Sequence, residues 1–192
     1  MKRWEIINRF IKKRRYTSYL EIGCGVNSTF NKVKVLYKIG VDPKKGGNKK
    51  MTSDEFFKQN TDKFDIIFID GLHYAEQVLK DVNNAMLYLN QNGVIIIHDC
   101  NPQTKMAQIV PRKAMEWNGD VWKAWVHIRG IEKFYATYVI DTDGGVGVID
   151  TFQSRSIPAL QINELNLTYG IFTKNRDYLL NLISVKEFKF FV

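Results

Sequence analysis

Two groups of residues in this chain have the types and spacing to do chemistry. The first is Glu21-Ile22-Gly23-Cys24-Gly25, followed about one crossover later by Val41-Asp42-Pro43. A glycine pair at the carboxyl end of a strand lets a ligand lie against bare backbone. An acid ending the next strand is placed to accept hydrogen bonds from a ribose diol. Together they point to a nucleoside cofactor. The third glycine of the dinucleotide fingerprint is missing, so that cofactor need not carry a pyrophosphate. The second group is Asp70, His73 and the run His98-Asp99-Cys100-Asn101. Carboxylates beside imidazoles are proton carriers, and a histidine titrates close to neutrality as a general base should.

The elements needed to position these groups are legible in the apolar pattern. Trp4, Ile7, Phe10 and Ile11 share one face, which predicts an amphipathic helix over residues 3–14. Strands are expected at about Ser18–Ile22 and Lys38–Asp42, with at most a short further strand before Thr52. Thr52-Ser53-Asp54-Glu55 is a capping box that starts a helix. Phe64–Asp70 is nearly continuous in apolar residues, the pattern of a strand buried on both faces in a parallel sheet. A helix over 74–90 should end at Asn92-Gly93, and Val94–Ile97 should be the next buried strand. After an irregular stretch at 101–120 come a helix at Val121–Arg129 and strands at Phe134–Ile140 and Gly145–Ile149. Asp141-Thr142-Asp143-Gly144 joins those strands as a hairpin. The tail from Asn163 is expected to end in a helical piece near Arg176–Ile183. The predicted fold is a doubly wound, mostly parallel α/β sheet of seven strands, closed by an antiparallel hairpin. We expect a single domain over 1–192: an N-terminal helix at 1–15, an acceptor-side insert at 101–130 and a C-terminal extension at 151–192. In such a sheet ligands bind beyond the carboxyl ends of the strands, so Glu21, Asp42, Asp70 and His98-Asp99 should meet at one rim.

Composition sets bounds. Apolar residues make up 45% and charged residues 25% of the 192, as in a water-soluble globular protein. No apolar run is long enough to span a membrane. Met1-Lys2-Arg3-Trp4-Glu5 lacks an apolar signal core, and two cysteines make a poor disulfide framework, so a cytoplasmic setting is expected. The net charge of +8 admits two readings: nucleic-acid binding, or lysines scattered over solvated faces. No aromatic-basic RNA-binding motif accompanies the lysines, which favours the second.

With Phe68-Ile69-Asp70-Gly71-Leu72-His73-Tyr74 and Ile97-His98-Asp99-Cys100-Asn101-Pro102 added to the glycine loop, the chain resembles the class I S-adenosylmethionine-dependent methyltransferases over nearly its whole length. Within them it is similar to a small bacterial group resembling metal-dependent sugar and macrolide O-methyltransferases. The resemblance implies that Gly23, Cys24 and Gly25 pass close to the methionine moiety and ribose of the cofactor. Glu21 would sit near its amino group or brace the loop, and Asp42 would hold the ribose hydroxyls. Thr52 and Ser53 would lie near the adenine, although Thr52 reads equally as a helix cap. Asp70 would serve both cofactor and chemistry.

The catalytic residues implied are His73, as base for a hydroxyl acceptor, with Asp70 and Asp99; His73 has the alternative of capping a helix or stacking on the cofactor. A magnesium or other divalent metal would take Asp70, Asp99 and Asn101, with His98 a further candidate. The chain departs from the pattern at two places. Cys100 stands where catechol-type relatives have asparagine, and His98 stands where the macrolide-sugar enzymes have an acid. Imidazole is a poor magnesium ligand, which turns the expectation toward a transition metal. The acceptor, a sugar, glycan or other small hydroxylated molecule, should meet residues 101–130 and the hairpin tip near Asp143, with Trp117, Trp122 and Trp125 as candidate walls. His127 reads as surface or packing. The competing functions are a nucleic-acid methyltransferase and a non-catalytic cofactor-binding protein; monomer and homodimer are both open.

Overall fold

The computed structural model describes residues 1–132, 134–154 and 167–192. Its elements are α1 (Arg3–Arg14), β1 (Ser18–Ile22), β2 (Tyr37–Val41), α2 (Ser53–Gln59), β3 (Phe64–Ile69), α3 (Ala75–Leu87), β4 (Leu89–Ile97), α4 (Val121–Ile131), β5 (Ala136–Ile140), β6 (Val146–Asp150), α5 (Tyr169–Lys174), α6 (Arg176–Leu180), β7 (Leu182–Ile183) and α7 (Val185–Phe191). The strands form a seven-stranded sheet in the order β2-β1-β3-β4-β6-β5-β7. β1 pairs in parallel with β2 and β3, and β3 with β4; β6 runs antiparallel to both β4 and β5. The α/β class, the parallel centre and the late hairpin are as predicted.

The two-residue period of the strands divides the core. Leu20, Ile22, Ile67, Ile69, Ile95 and Ile97 face one layer, with Phe56, Val78, Val82, Trp122, Trp125 and Phe172 from the helices. Tyr19, Ile66, Phe68, Val94 and Ile96 face the other, against Ile6, Ile7 and Phe10 of α1 and Phe188 of α7. Successive side chains point to opposite faces, so a strand covered by helices on both sides must be apolar throughout. At the bottom of the sheet Arg14 clasps the fully buried Asp150 through two bonds, Nη1 to Oδ1 at 2.7 Å and Nη2 to Oδ2 at 2.5 Å.

Three boundaries differ from expectation. α3 stops at Leu87 and β4 begins at Leu89, so Asn92-Gly93 lies inside the strand, where the register with β3 shifts between Phe64 and Ile66. Leu89 fits the helical stripe as well as it fits a strand, so periodicity could not separate the two. The short strand before Thr52 is reduced to one bridge between Val41 and Lys49. The seventh strand is instead Leu182–Ile183, which pairs in parallel with β5 at the far edge. The helical piece expected over 176–183 thus ends at Leu180, and residues 155–166, including Asn163 at the start of the expected tail, lie outside the described residues.

Candidate active site

The carboxyl ends of β1 to β4 open onto a cleft of about 680 Å³. Gly23 begins it. The residue has φ +85°, and its N–H donates to the Val41 carbonyl at 2.8 Å, which binds the β1 loop to the end of β2. Asp42 fixes the rest of that loop. Its Oδ2 accepts from the Gly25 N–H at 2.8 Å, and its Oδ1 accepts from the N–H groups of Lys44 and Lys45 at 2.8 and 2.9 Å. Burial would raise the Asp42 pKa. The N–H donors of Lys45, Lys44 and Gly25 outweigh it and hold the carboxyl below its ordinary range.

Glu21 lies beneath this floor and is not part of the cleft wall. Its carboxyl accepts from the Tyr19 hydroxyl at 2.5 Å, and burial pushes its pKa up to about 7 against that bond. Cys24 lines the cleft with a buried thiol that burial pushes far up, so it is not a nucleophile. Thr52 caps α2: its Oγ1 accepts from the Glu55 N–H, and Glu55 reaches back to the Thr52 N–H. Thr52 and Ser53 also line the cleft, so for Thr52 the cap and the wall are one residue.

The other end of the cleft is a cluster of imidazoles and carboxylates. His73 lies between two acids, with Nε2 3.4 Å from Asp70 Oδ1 and Nδ1 3.2 Å from Asp99 Oδ2. His98 Nδ1 faces the same two oxygens at 3.2 and 3.1 Å. Its Nε2 meets the guanidinium of Arg3, which has come across from the first turn of α1. Asp143, on the hairpin between β5 and β6, closes the group: its Oδ2 accepts from the Arg3 backbone N–H at 3.0 Å and from Arg3 Nη1 at 3.2 Å. Burial would lower both histidine pKa values. The carboxylates prevail: Asp70, Asp143 and Asp99 hold His98 well above its ordinary value, and Asp70 and Asp99 raise His73. The converse holds for Asp70, where burial is overcome by His98 and His73 and the carboxyl is held far below its usual range.

Secondary contacts orient the cluster. Asn118 Nδ2 donates to Asp99 Oδ1 at 2.7 Å, which turns Oδ2 toward the imidazoles. The Trp117 ring stacks on His73 at 5.1 Å and 13°, and Tyr74 meets Trp117 edge-on. Asp120 accepts from the Ala75 N–H at 2.8 Å, capping α3 just past His73. The irregular stretch at 101–120 therefore folds back over His73.

Residues 41–100, which carry Asp42, Asp70, His73, His98 and Asp99, match the family model of a methyltransferase domain. That match covers less than a third of the chain. No curated protein sequence matches this chain significantly. Its fold is shared with an O-methyltransferase from Bacillus cereus solved in complex with SAH, at 10% identity and a TM-score of 0.56, covering 77% of this chain and 80% of that one. It is shared with the SAH-bound methyltransferase PaMTH1 of Podospora anserina, at 14% identity and a TM-score of 0.55, covering 77% and 76%. It is shared also with MycE of the mycinamycin biosynthetic pathway, solved with Mg, SAH and mycinamycin VI, at 13% identity and a TM-score of 0.51. That match covers 81% of this chain and 50% of MycE. Among the described residues, no helix is long and apolar enough to cross a membrane.

The cleft does not use every residue expected of it. Asn101 is not brought to Asp70 and Asp99. Its Nδ2 donates to Asp141 at 3.1 Å, and its Oδ1 is taken by Arg176 of α6, so its carbonyl oxygen is not offered to an ion. The described group that could hold a metal is Asp70, His73 and Asp99, whose donor atoms all lie within 4.8 Å of one another. Trp122 and Trp125 are fully buried in the core; of the three tryptophans only Trp117 reaches the site. His127 lies on α4, half-buried and outside the cleft wall.

Other residues had gone unnoticed. Nothing local distinguishes Arg3 from any basic residue at a helix start. Asp81 did leave a signal: it falls on the inner stripe of α3 beside Val78, Val82 and Ala85. Its Oδ1 accepts from Gln77 Nε2 at 3.0 Å, behind the wall formed by Ser53, Asp54 and Gln77. Burial, with Ser53, Gln77 and Lys80 opposing it and Asp54 adding to it, raises its pKa from 3.8 to about 6. The folded state thus binds the proton more tightly than the unfolded chain. Stability from this group is full below the unfolded value and falls as pH rises through 6. Asp81→Asn should therefore stabilise the protein at pH 8 by roughly 3 kcal/mol and have almost no effect near pH 4. Urea denaturation of both proteins at the two pH values measures the difference; a gain that does not change with pH would refute the assignment.

Proposed function

We propose that this protein is a methyltransferase that moves the methyl group of S-adenosylmethionine to a hydroxyl oxygen of a small acceptor, with a sugar or glycan as the acceptor class. The observation that carries the reading is one cleft with two unlike ends. The glycine loop and Asp42 make a backbone-lined berth for a nucleoside, and Asp70, His73, His98 and Asp99 gather carboxylates and imidazoles where an acceptor would enter. The solved neighbours holding SAH support the donor, and the neighbour holding mycinamycin VI supports a hydroxylated acceptor.

In this reading Gly23 and Gly25 admit the cofactor against bare backbone, Cys24 lies beneath it, and Asp42 accepts from the ribose hydroxyls while holding the Gly25 and Lys44 N–H groups. Thr52 and Ser53 border the adenine. Asp70 faces the reacting end, and Glu21 braces the floor. Methyl transfer from a sulfonium is an in-line displacement, so the protein's work is alignment of the acceptor and removal of its proton. His73 takes that proton. Asp70 and Asp99 orient its ring and stabilise the imidazolium that forms. In a metal-dependent form of the reaction Asp70, Asp99 and His73 would instead hold a divalent ion as two oxygen donors and one nitrogen donor, and the ion, in place of His73 as base, would lower the pKa of the acceptor hydroxyl.

Calorimetry with S-adenosylhomocysteine tests the donor half. The wild type should bind, and Asp42→Ala should weaken binding at least roughly tenfold, since a charged acceptor of two hydroxyl bonds is lost. Absence of binding by the wild type would end this reading. Full turnover in EDTA would remove the metal, and full turnover by His73→Ala would remove the base.

A further inference from the structure

We infer that Arg3 is the residue that receives the amino-acid carboxylate of the cofactor. The inference rests on the S-adenosylmethionine reading and adds a contact to it. The Arg3 side chain is 22% exposed and forms part of the cleft wall, although it belongs to α1 and lies far in sequence from every other member of the site. Its guanidinium is only partly used. Nε donates to Thr29 Oγ1 at 3.2 Å and lies 3.7 Å from Asp70 Oδ2. Nη1 is shared between Asp143 and His98. Among the described residues Nη2 has no hydrogen-bond partner, which leaves two N–H donors on a cation whose side chain lines the cleft.

The position of those donors selects the ligand. Thr29 ends the loop that starts at Gly23, so the bond from Nε sets the guanidinium against the loop along which the cofactor would lie. Ser28, the residue before it, is exposed and lines the cleft as well. At the opposite end Asp42, Thr52 and Ser53 suit the adenosine. A nucleoside berthed there directs its amino-acid arm past Gly25 toward Ser28 and Arg3. A carboxylate matches the planar fork of a guanidinium, and partial burial strengthens the bond. Asp143 keeps the fork in place by holding both the backbone N–H and Nη1 of Arg3. An anionic acceptor would present the same chemistry from the other side of the cleft.

Truncating the ligand separates these sources. Binding of S-adenosylhomocysteine and of 5′-methylthioadenosine, which lacks the amino-acid arm, is measured by calorimetry without acceptor for the wild type, Arg3→Ala and Arg3→Lys. Arg3→Ala should weaken S-adenosylhomocysteine roughly tenfold or more, and Arg3→Lys less. Methylthioadenosine should bind all three proteins within about twofold, which also shows that the cleft is intact. Equal weakening of both ligands would make Arg3 a support of the fold and overturn the inference. Unchanged affinity for both would give the fork to an acceptor and overturn it too. If the wild type binds methylthioadenosine and S-adenosylhomocysteine equally, the arm makes no contact and Arg3 receives nothing. A wild type that binds neither removes the cofactor reading itself.

Discussion

Replacing Gly23 with alanine should destabilise the protein by about 3 kcal/mol and abolish measurable binding of S-adenosylhomocysteine. A methyl group at this position would stand 2.2 Å from the Asp70 carbonyl oxygen and 2.4 Å from Gly71 Cα, both backbone atoms at the end of β3. Neither can rotate away, so β1 and β3 must part where Asp70 N–H bonds to the Ile22 carbonyl at 2.8 Å. The backbone is also at φ +85°, where an alanine is strained. Gly25→Ala is the contrast. Nothing lies within 4 Å of its Cβ position, so only the strain of φ +53° remains, about 1 kcal/mol. Its fold should survive, while its binding should fall if the cofactor passes against that backbone. Urea midpoints and calorimetry on the two variants give four numbers. Equal stability losses would refute the steric account, and intact binding by Gly25→Ala would refute close approach at that position.

Asp99→Asn should lower kcat for methyl transfer by roughly 10²–10⁴-fold while changing affinity for S-adenosylhomocysteine less than about threefold. The choice of asparagine matters. Asp99 has φ +61°, a conformation that asparagine tolerates and alanine does not, so the backbone of the turn is kept. Asn118 can still bond to the retained side-chain oxygen. What is lost is a negative charge that faces both His73 and His98. Without it the His73 ring has one fewer carboxylate to orient it, and an ion has one fewer donor. The measurement is steady-state turnover with a hydroxylated acceptor that the wild type accepts, alongside a thermal melt that shows the variant folded. Turnover within fivefold of wild type would place the chemistry away from this cluster.

Much of the framework behind these predictions was legible one residue at a time. Strand Ser18–Ile22 and helix Arg3–Arg14 fall where the apolar pattern placed them, because burial on both faces leaves a strand mostly apolar, Ser18 and Glu21 apart, and burial on one face leaves a helical stripe. The strand ends could be named for the same reason: the residue after each apolar run is the first that is free to be polar. Leu89 shows where this stops. An apolar side chain satisfies a helix face and a strand face alike, and only pairing with Phe64 decides between them.

The cluster itself followed a different rule. Asp70, His73, His98 and Asp99 could be anticipated because parallel strands bring their carboxyl ends to one rim. Asn101 could not be excluded by spacing; it turns away because Arg176, from a helix 75 residues later, holds its carbonyl oxygen. The same applies to the three tryptophans, of which packing buries two and leaves Trp117 on His73. Sequence by itself determined the layered α/β fold and the rim, since both follow from hydrophobic period and chain direction. Tertiary structure alone decided that Arg3 joins the cleft, held there by Asp143, 140 residues away. Side-chain contacts across that separation carry no periodic signal, and they exist only once the sheet has brought the N-terminal helix and the late hairpin to the same edge of the site.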